Sequence, residues 1–196
     1  MRRLLLLLVP ALAASLLIAA CNGDEGSEDE DQITEAIETA ATSGEPSACT
    51  ELQTQNFNEQ TAGVPGPAAT EACEEDAADT PADEVEVSNI EVDGSSATAE
   101  AALSGSILDQ QTIELALVKE GEDWKLDEIL GFVGFDRAAF DAGFEEELSS
   151  DEELPPDAAE CVSQNFKALS DQEVQDFFLD PSEEEGNKLF GSCFGG

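Results

Sequence analysis

The chain has 196 residues, no His, no Tyr, and 46 Asp and Glu against 7 Lys and Arg, a formal charge of −39. Such a charge repels phosphate backbones, which excludes nucleic acid as a partner and argues against electrostatic attachment to anionic headgroups. Without histidine, Ser–His and Cys–His nucleophilic machinery is excluded as well.

Met1-Arg2-Arg3 is a short basic stretch, and Leu4–Leu17 is an apolar run interrupted only by Pro10 and Ser15. Ile18-Ala19-Ala20-Cys21 ends it with small residues and a cysteine. The run is short for a membrane span, and this ending resembles the lipobox of bacterial lipoproteins. The resemblance implies that residues 1–20 are a signal peptide cut before Cys21, whose thiol carries the lipid. The mature chain is then extracytoplasmic and held to the cell membrane by its acyl anchor. Loss of Arg2 and Arg3, with no acid lost, takes the formal charge to 5 − 46 = −41. The acids are spread along the chain, as on a solvated surface adapted to salt.

Residues 21–30 read as an acidic flexible tether. From Asp31 the pattern turns helical, with Ile33, Ala36, Ile37 and Ala40 on one face and Gly44-Glu45-Pro46 as its stop. A second helix is expected from about Ser47, carrying Cys49, Leu52 and Phe57. Beyond the Gly63–Pro67 loop, 68–78 is expected to form a third helix holding Cys73.

Residues 84–129 alternate with period two. Val85 and Val87 are followed by a one-residue slip at Ser88-Asn89 and then by Ile90 and Val92. Asp93-Gly94 marks a tight turn, and Ala97, Ala99, Ala101 and Leu103 form the return. Ile113, Leu115 and Leu117 make a third strand, and Gly121-Glu122-Asp123 a second turn. Trp124, Leu126 and Glu128 make a fourth strand. This is an antiparallel meander with one buried face.

Helices, a Val-x-Val strand, an Asp-Gly hairpin and a closing Gly-Glu-Asp-Trp-Lys-Leu-Asp-Glu-Ile resemble the NTF2-like superfamily, over about residues 31–132. Within it the chain is most similar to small actinobacterial lipoproteins and membrane-associated proteins. The resemblance implies an α+β domain over 31–134, a cone of curved sheet wrapped round the helices with a pocket at its open end. Enzymes of the superfamily commonly use an Asp/His pair inside the cone; without histidine that carry-over fails at every position.

Residues 135–196 read as a separate helical domain. Phe135, Ala139, Phe140, Phe144 and Leu148 recur at helical spacing behind Asp136, an N-cap. Cys161, Val162, Phe166 and Leu169 mark a second helix, and Ser170-Asp171-Gln172-Glu173 is a capping-box pattern opening a third. A last helix is expected from Pro181 to near Cys193. The four cysteines Cys49, Cys73, Cys161 and Cys193 admit three pairings. Sequential pairing, Cys49 with Cys73 and Cys161 with Cys193, keeps each bridge on one side of the strands.

The remaining chemistry is sparse. No Cys-x-x-Cys, EF-hand spacing or phosphate-cradling glycine loop is present, so neither metal nor cofactor is implied. Phe57, Trp124, Leu126 and Phe132 are the expected walls of a pocket. The expected function is noncatalytic, a lipid-anchored binding or scaffold module for a small apolar ligand or an envelope protein. A hydrolase or isomerase using carboxylates in the cone, and a cation-associating structural protein, are the alternatives.

Overall fold

The alternating stretch forms one antiparallel sheet whose four strands neighbour each other in sequence order. The computed structural model describes residues 25–78, 81–105, 107–150, 154–181, 186 and 189–194. The strands are β1 Glu84–Asp93, β2 Ser96–Ser104, β3 Thr112–Glu120 and β4 Asp123–Phe132. Val85, Ala97, Ala99, Ala101, Ile113, Leu115, Leu117, Trp124, Leu126 and Ile129 are buried on the inner face. Gly94 turns the first hairpin with φ +67, between the paired Asp93 and Ser96.

The slip at Ser88-Asn89 is a β-bulge. The register shifts between Ser88 and Glu91, Asn89 takes φ +51, and its Nδ2 donates to Glu100 Oε2 at 2.8 Å. The fourth strand departs from the expected alternation. Leu126 pairs with Leu117 but Glu128 with Ala116, and Ile129 pairs with Leu115 but Gly131 with Glu114. Asp127 and Leu130 are therefore the extra residues of two bulges. Glu128 is exposed in consequence, and Ile129 takes the inward place.

Helix α1 spans Glu25–Thr42. Residues 25–30, expected as part of a flexible tether, are helical instead. Acidic residues are favoured in the first turns of a helix by its dipole, and Asp29 binds the sheet directly through Lys119 and Trp124. Ile33, Ala36 and Ile37 are buried as their spacing requires, and α1 packs against both edge strands, β1 and β4.

The single helix expected through Leu52 is broken in two, α2 at Ala48–Glu51 and α3 at Gln55–Ala62. The break has a hydrogen-bonding cause. Leu126 N donates to Leu52 O and Thr54 N donates to Leu126 O, each at 2.9 Å, so the linker runs along the free edge of β4. Thr54 then caps α3, its Oγ1 accepting from Phe57 N. Farther along the same edge, Asn56 Nδ2 donates to Asp127 O at 2.8 Å. Gln60 accepts from Ile129 N at 2.7 Å and donates to Ile129 O at 2.9 Å and Leu179 O at 3.0 Å. A glutamine amide thus stands in for a neighbouring strand.

Helix α4, Pro67–Asp76, is tied to α2 by the Cys49–Cys73 disulfide. The second disulfide joins Cys161 to Cys193, so both sequential pairs form. The remaining helices are α5 Arg137–Ser150, α6 Pro156–Lys167 and α7 Asp171–Leu179. Asp136 Oδ1 caps α5, accepting from Ala138 N and Ala139 N at 3.0 Å, and Ser170 with Glu173 forms the expected capping box. Of the last expected helix, residues 182–185, 187 and 188 lie outside the described residues, while Leu189 and Phe190 are helical.

These C-terminal helices do not enclose a core of their own. Phe140, Phe166, Val174 and Leu189 belong to the same continuous buried cluster as Ile33, Leu115 and Trp124. Phe132 of β4 sits among Phe135, Phe140 and Phe178, with ring centroids 5.0, 6.4 and 5.4 Å away. The buried Gln111 seals the junction, accepting from Asp136 N and donating to Asp136 O, both at 3.0 Å. Gly63, at φ +65, ends α3 close beneath Pro181, where a Cβ would crowd the proline. The sequence boundary at 134/135 therefore marks a change of composition, and packing crosses it.

Candidate functional site

The inner face of the sheet does not fill the space beneath α1 and α3. A cavity of about 310 Å³ remains, walled by Val85, Ala101, Leu103, Ile113, Leu115, Leu126 and Ile129 from the four strands. Ile37, Ala40 and Ala41 of α1, Phe57 and Thr61 of α3, and Phe178 of α7 close it from the helical side, with Ile107 and Leu108 at one end. Its origin lies in small residues. Ala40, Ala41, Ala82 and Ala101 occupy wall positions where leucines would project into the space.

A second space of about 280 Å³ adjoins the first, the two sharing Ala40, Ala41, Gln53, Phe57 and Thr61. It is lined on the outer side by Ser43, Gly44, Glu45, Asp76, Pro81 and the Cys49–Cys73 disulfide. Glu45 and Asp76 are exposed, so this space opens to solvent on their side; we call it the mouth and the shared residues the neck. Gln53 and Thr61 are the polar groups of the neck. Thr61 Oγ1 donates to Phe57 O at 3.0 Å. Gln53 Oε1 lies 3.2 Å from Cys73 Sγ, a disulfide sulfur with no proton to give. Behind the mouth, Asn58 is buried between α2, α3 and α4. Its Nδ2 donates to Cys49 O at 2.8 Å, and its Oδ1 has no partner among the described residues.

The expected wall residues divide. Phe57 and Leu126 line the cavity, whereas Trp124 and Phe132 do not. Trp124 lies beneath α1, where its Nε1 donates to Asp29 Oδ1 at 2.9 Å. Phe132 is committed to the aromatic cluster. Asp127, one of the extra residues of β4, accepts from Thr54 Oγ1 at 2.7 Å on the sheet edge. The wall residues that pattern reading missed are alanines and the half-buried Ile107 and Leu108, which carry no positive signal.

No carboxylate or other proton-transferring side chain is among the described residues lining the inner cavity. The carboxyl groups held below their ordinary range are elsewhere. Lys119 and Trp124 lower Asp29 by hydrogen bonding, Gln110 lowers Asp109, Lys167 lowers Glu145, and Ser170 lowers Glu173. Each of these stabilises a cap, a turn or a helix contact; none faces the cavity. Two polar grooves also lie on the surface, one between α1 and the start of β4, the other between the β2–β3 loop and α5. Among the described residues no group of three His, Cys, Asp or Glu is arranged to hold a metal, and no helix is long and apolar enough to cross a membrane. Cys21 and the leader lie outside the described residues.

Comparison with known protein families, characterised proteins and solved structures finds no match to this chain. The functional argument therefore rests on the cavity itself.

Proposed function

We propose that this chain is a noncatalytic NTF2-like binding module that holds a small apolar ligand between its sheet and helices and is moored to the membrane through Cys21. The observation that carries the reading is the apolar cavity of about 310 Å³. It falls at the small end of the range typical of ligand sites. A cavity of about 150 Å³ lined by aliphatic and aromatic side chains admits benzene. Twice that volume suits a ligand of about a dozen heavy atoms. The absence of carboxylates from the described wall leaves a hydrolase or isomerase reading without a supporting group. The sequential helices and four-stranded meander agree with the NTF2-like arrangement that the sequence resembles.

Ala101 is 1% exposed and lies on the cavity wall. Its replacement by leucine is expected to fill the space and abolish binding of a neutral apolar fluorophore, while costing no more than the roughly 1–3 kcal/mol of an overfilled core. Equilibrium titration with parallel denaturation checks this. Undiminished binding by Ala101→Leu, or no binding by the wild type, overturns the reading. The mooring has its own test. Cys21→Ala is expected to leave the leader uncleaved and the chain without lipid in whole-cell mass spectrometry. A mature wild-type protein lacking any lipid mass at Cys21 sinks the anchor.

A further inference from the structure

We propose that the cavity selects its ligand by the charge of the polar end, taking an apolar chain with an uncharged or positively charged head and rejecting a carboxylate or phosphate head. This rests on the binding role proposed above and adds the ligand's chemical class.

An amphiphile entering past Glu45 and Asp76 inserts its apolar end first. The inner walls offer apolar side chains, and burying a polar head there without partners costs several kcal/mol. The head is therefore left at the neck, beside Gln53 and Thr61. Among the described residues the Gln53 side-chain N–H groups have no hydrogen-bond partner, so they are available to a hydroxyl or carbonyl oxygen on the ligand. Thr61 spends its proton on Phe57 O and keeps oxygen lone pairs to accept from a ligand O–H or N–H. One donor and one acceptor at the neck match an alcohol or an amide.

The charges around the mouth have a single sign. Glu45 and Asp76 line it. All four described cations are engaged elsewhere: Lys119 with Asp29, Lys125 with Glu120, Arg137 with Asp141, and Lys167 with Glu145. None of them lines the cavity or its mouth. An anionic head would shed water beside two carboxylates, without a counter-charge, in the field of a chain whose formal charge is −39. An ammonium head gains from the same arrangement, and a neutral head is indifferent to it.

The test uses three ligands that share a decyl chain, the alcohol, the ammonium and the carboxylate, each competing at neutral pH against a neutral apolar fluorophore on the full mature chain. The alcohol and the ammonium are expected to displace it, and the carboxylate to bind about tenfold more weakly or worse at low salt. The gap should narrow at about 1 M salt, where screening shortens to about 3 Å. It should also narrow in the double variant Glu45→Gln, Asp76→Asn, whose two exposed sites tolerate neutral amides. Equal binding of the carboxylate and the alcohol at low salt overturns the charge selection and leaves the binding module standing. A gap unchanged by the double variant overturns the roles of Glu45 and Asp76. Failure of all three ligands and of the fluorophore to bind removes the binding reading itself.

Discussion

Reduction of both disulfides is expected to lower the melting temperature by roughly 15 °C or more, the largest effect foreseen for any treatment of this chain. The bridges close sequence separations of 24 and 32 residues. In the chain-entropy account each contributes about 3–4 kcal/mol, against a net stability of about 5–15 kcal/mol for an ordinary domain. Their positions amplify the loss. Helix α4 is a short helix packed chiefly on α3, with the bridge from Cys73 to Cys49 as its covalent tie. The tail around Cys193 holds Leu189 and Phe190 against α6 and α7, helped by Asn165 Nδ2 donating to Leu189 O at 2.7 Å. The paired change Cys49→Ser, Cys73→Ser should loosen the mouth while the sheet persists and, on the binding role proposed above, weaken uptake of the fluorophore. The pair at 161 and 193 should instead expose the phenylalanine cluster. Circular dichroism melts with and without a thiol reductant measure both. A shift of only a few degrees on full reduction would contradict the account.

Trp124→Ala is expected to cost about 3–5 kcal/mol, enough to unfold a marginal domain near body temperature. The indole is 2% exposed beneath α1, and its loss also removes a donor from Asp29. That carboxylate gathers Trp124 Nε1 at 2.9 Å and Lys119 Nζ at 2.5 Å, with the ammonium 5.5 Å from the indole centroid. Trp124→Phe keeps most of the apolar body and should cost distinctly less. The same contact has a pH signature. Hydrogen bonds from Lys119 first, and Trp124 second, hold Asp29 below its ordinary value in the folded chain. Its stabilising contribution is therefore complete above the unfolded carboxyl pKa of about 3.9 and is lost as pH falls through the lower folded value. Asp29→Asn should remove that part of the acid-limb dependence, leaving a shallower fall in urea midpoint below about pH 4. Identical acid limbs in variant and wild type would show that the contact carries no linkage.

The strands were legible because burial on one face imposes period two, and even the bulge at Asn89 announced itself as a slip in that period. The bulges of β4 did not. Asp127 and Leu130 are ordinary strand residues, and what makes them extra is the demand of Thr54, Asn56 and Gln60 on the strand edge, a tertiary cause. The start of α1 was hidden by acidity: Glu25–Glu30 has the composition of a solvated tether, yet Asp29 finds a lysine 90 residues away. The cavity was the least readable feature. Sequence pattern points to large side chains, so Trp124 and Phe132 were natural candidates for its wall. Both instead fill space, and the void lies where Ala40, Ala41, Ala82 and Ala101 leave it. A space is defined by what is missing from several elements at once, and no single stretch carries that information.

Gln60 has one more consequence. A primary amide presents the same donor and acceptor as a peptide unit, and here it satisfies the very groups of Ile129 that an incoming extended chain would seek. With Leu52 and Thr54 bonded to Leu126, and Asn56 to Asp127, the outer rim of β4 offers little template for strand addition. A second copy approaching edge to edge meets this rim already occupied. Its cover is part backbone, the Leu52 and Thr54 peptide groups at Leu126, and part side chain, the amides of Asn56 and Gln60 on α3. Protection of that edge is thus built from within the fold.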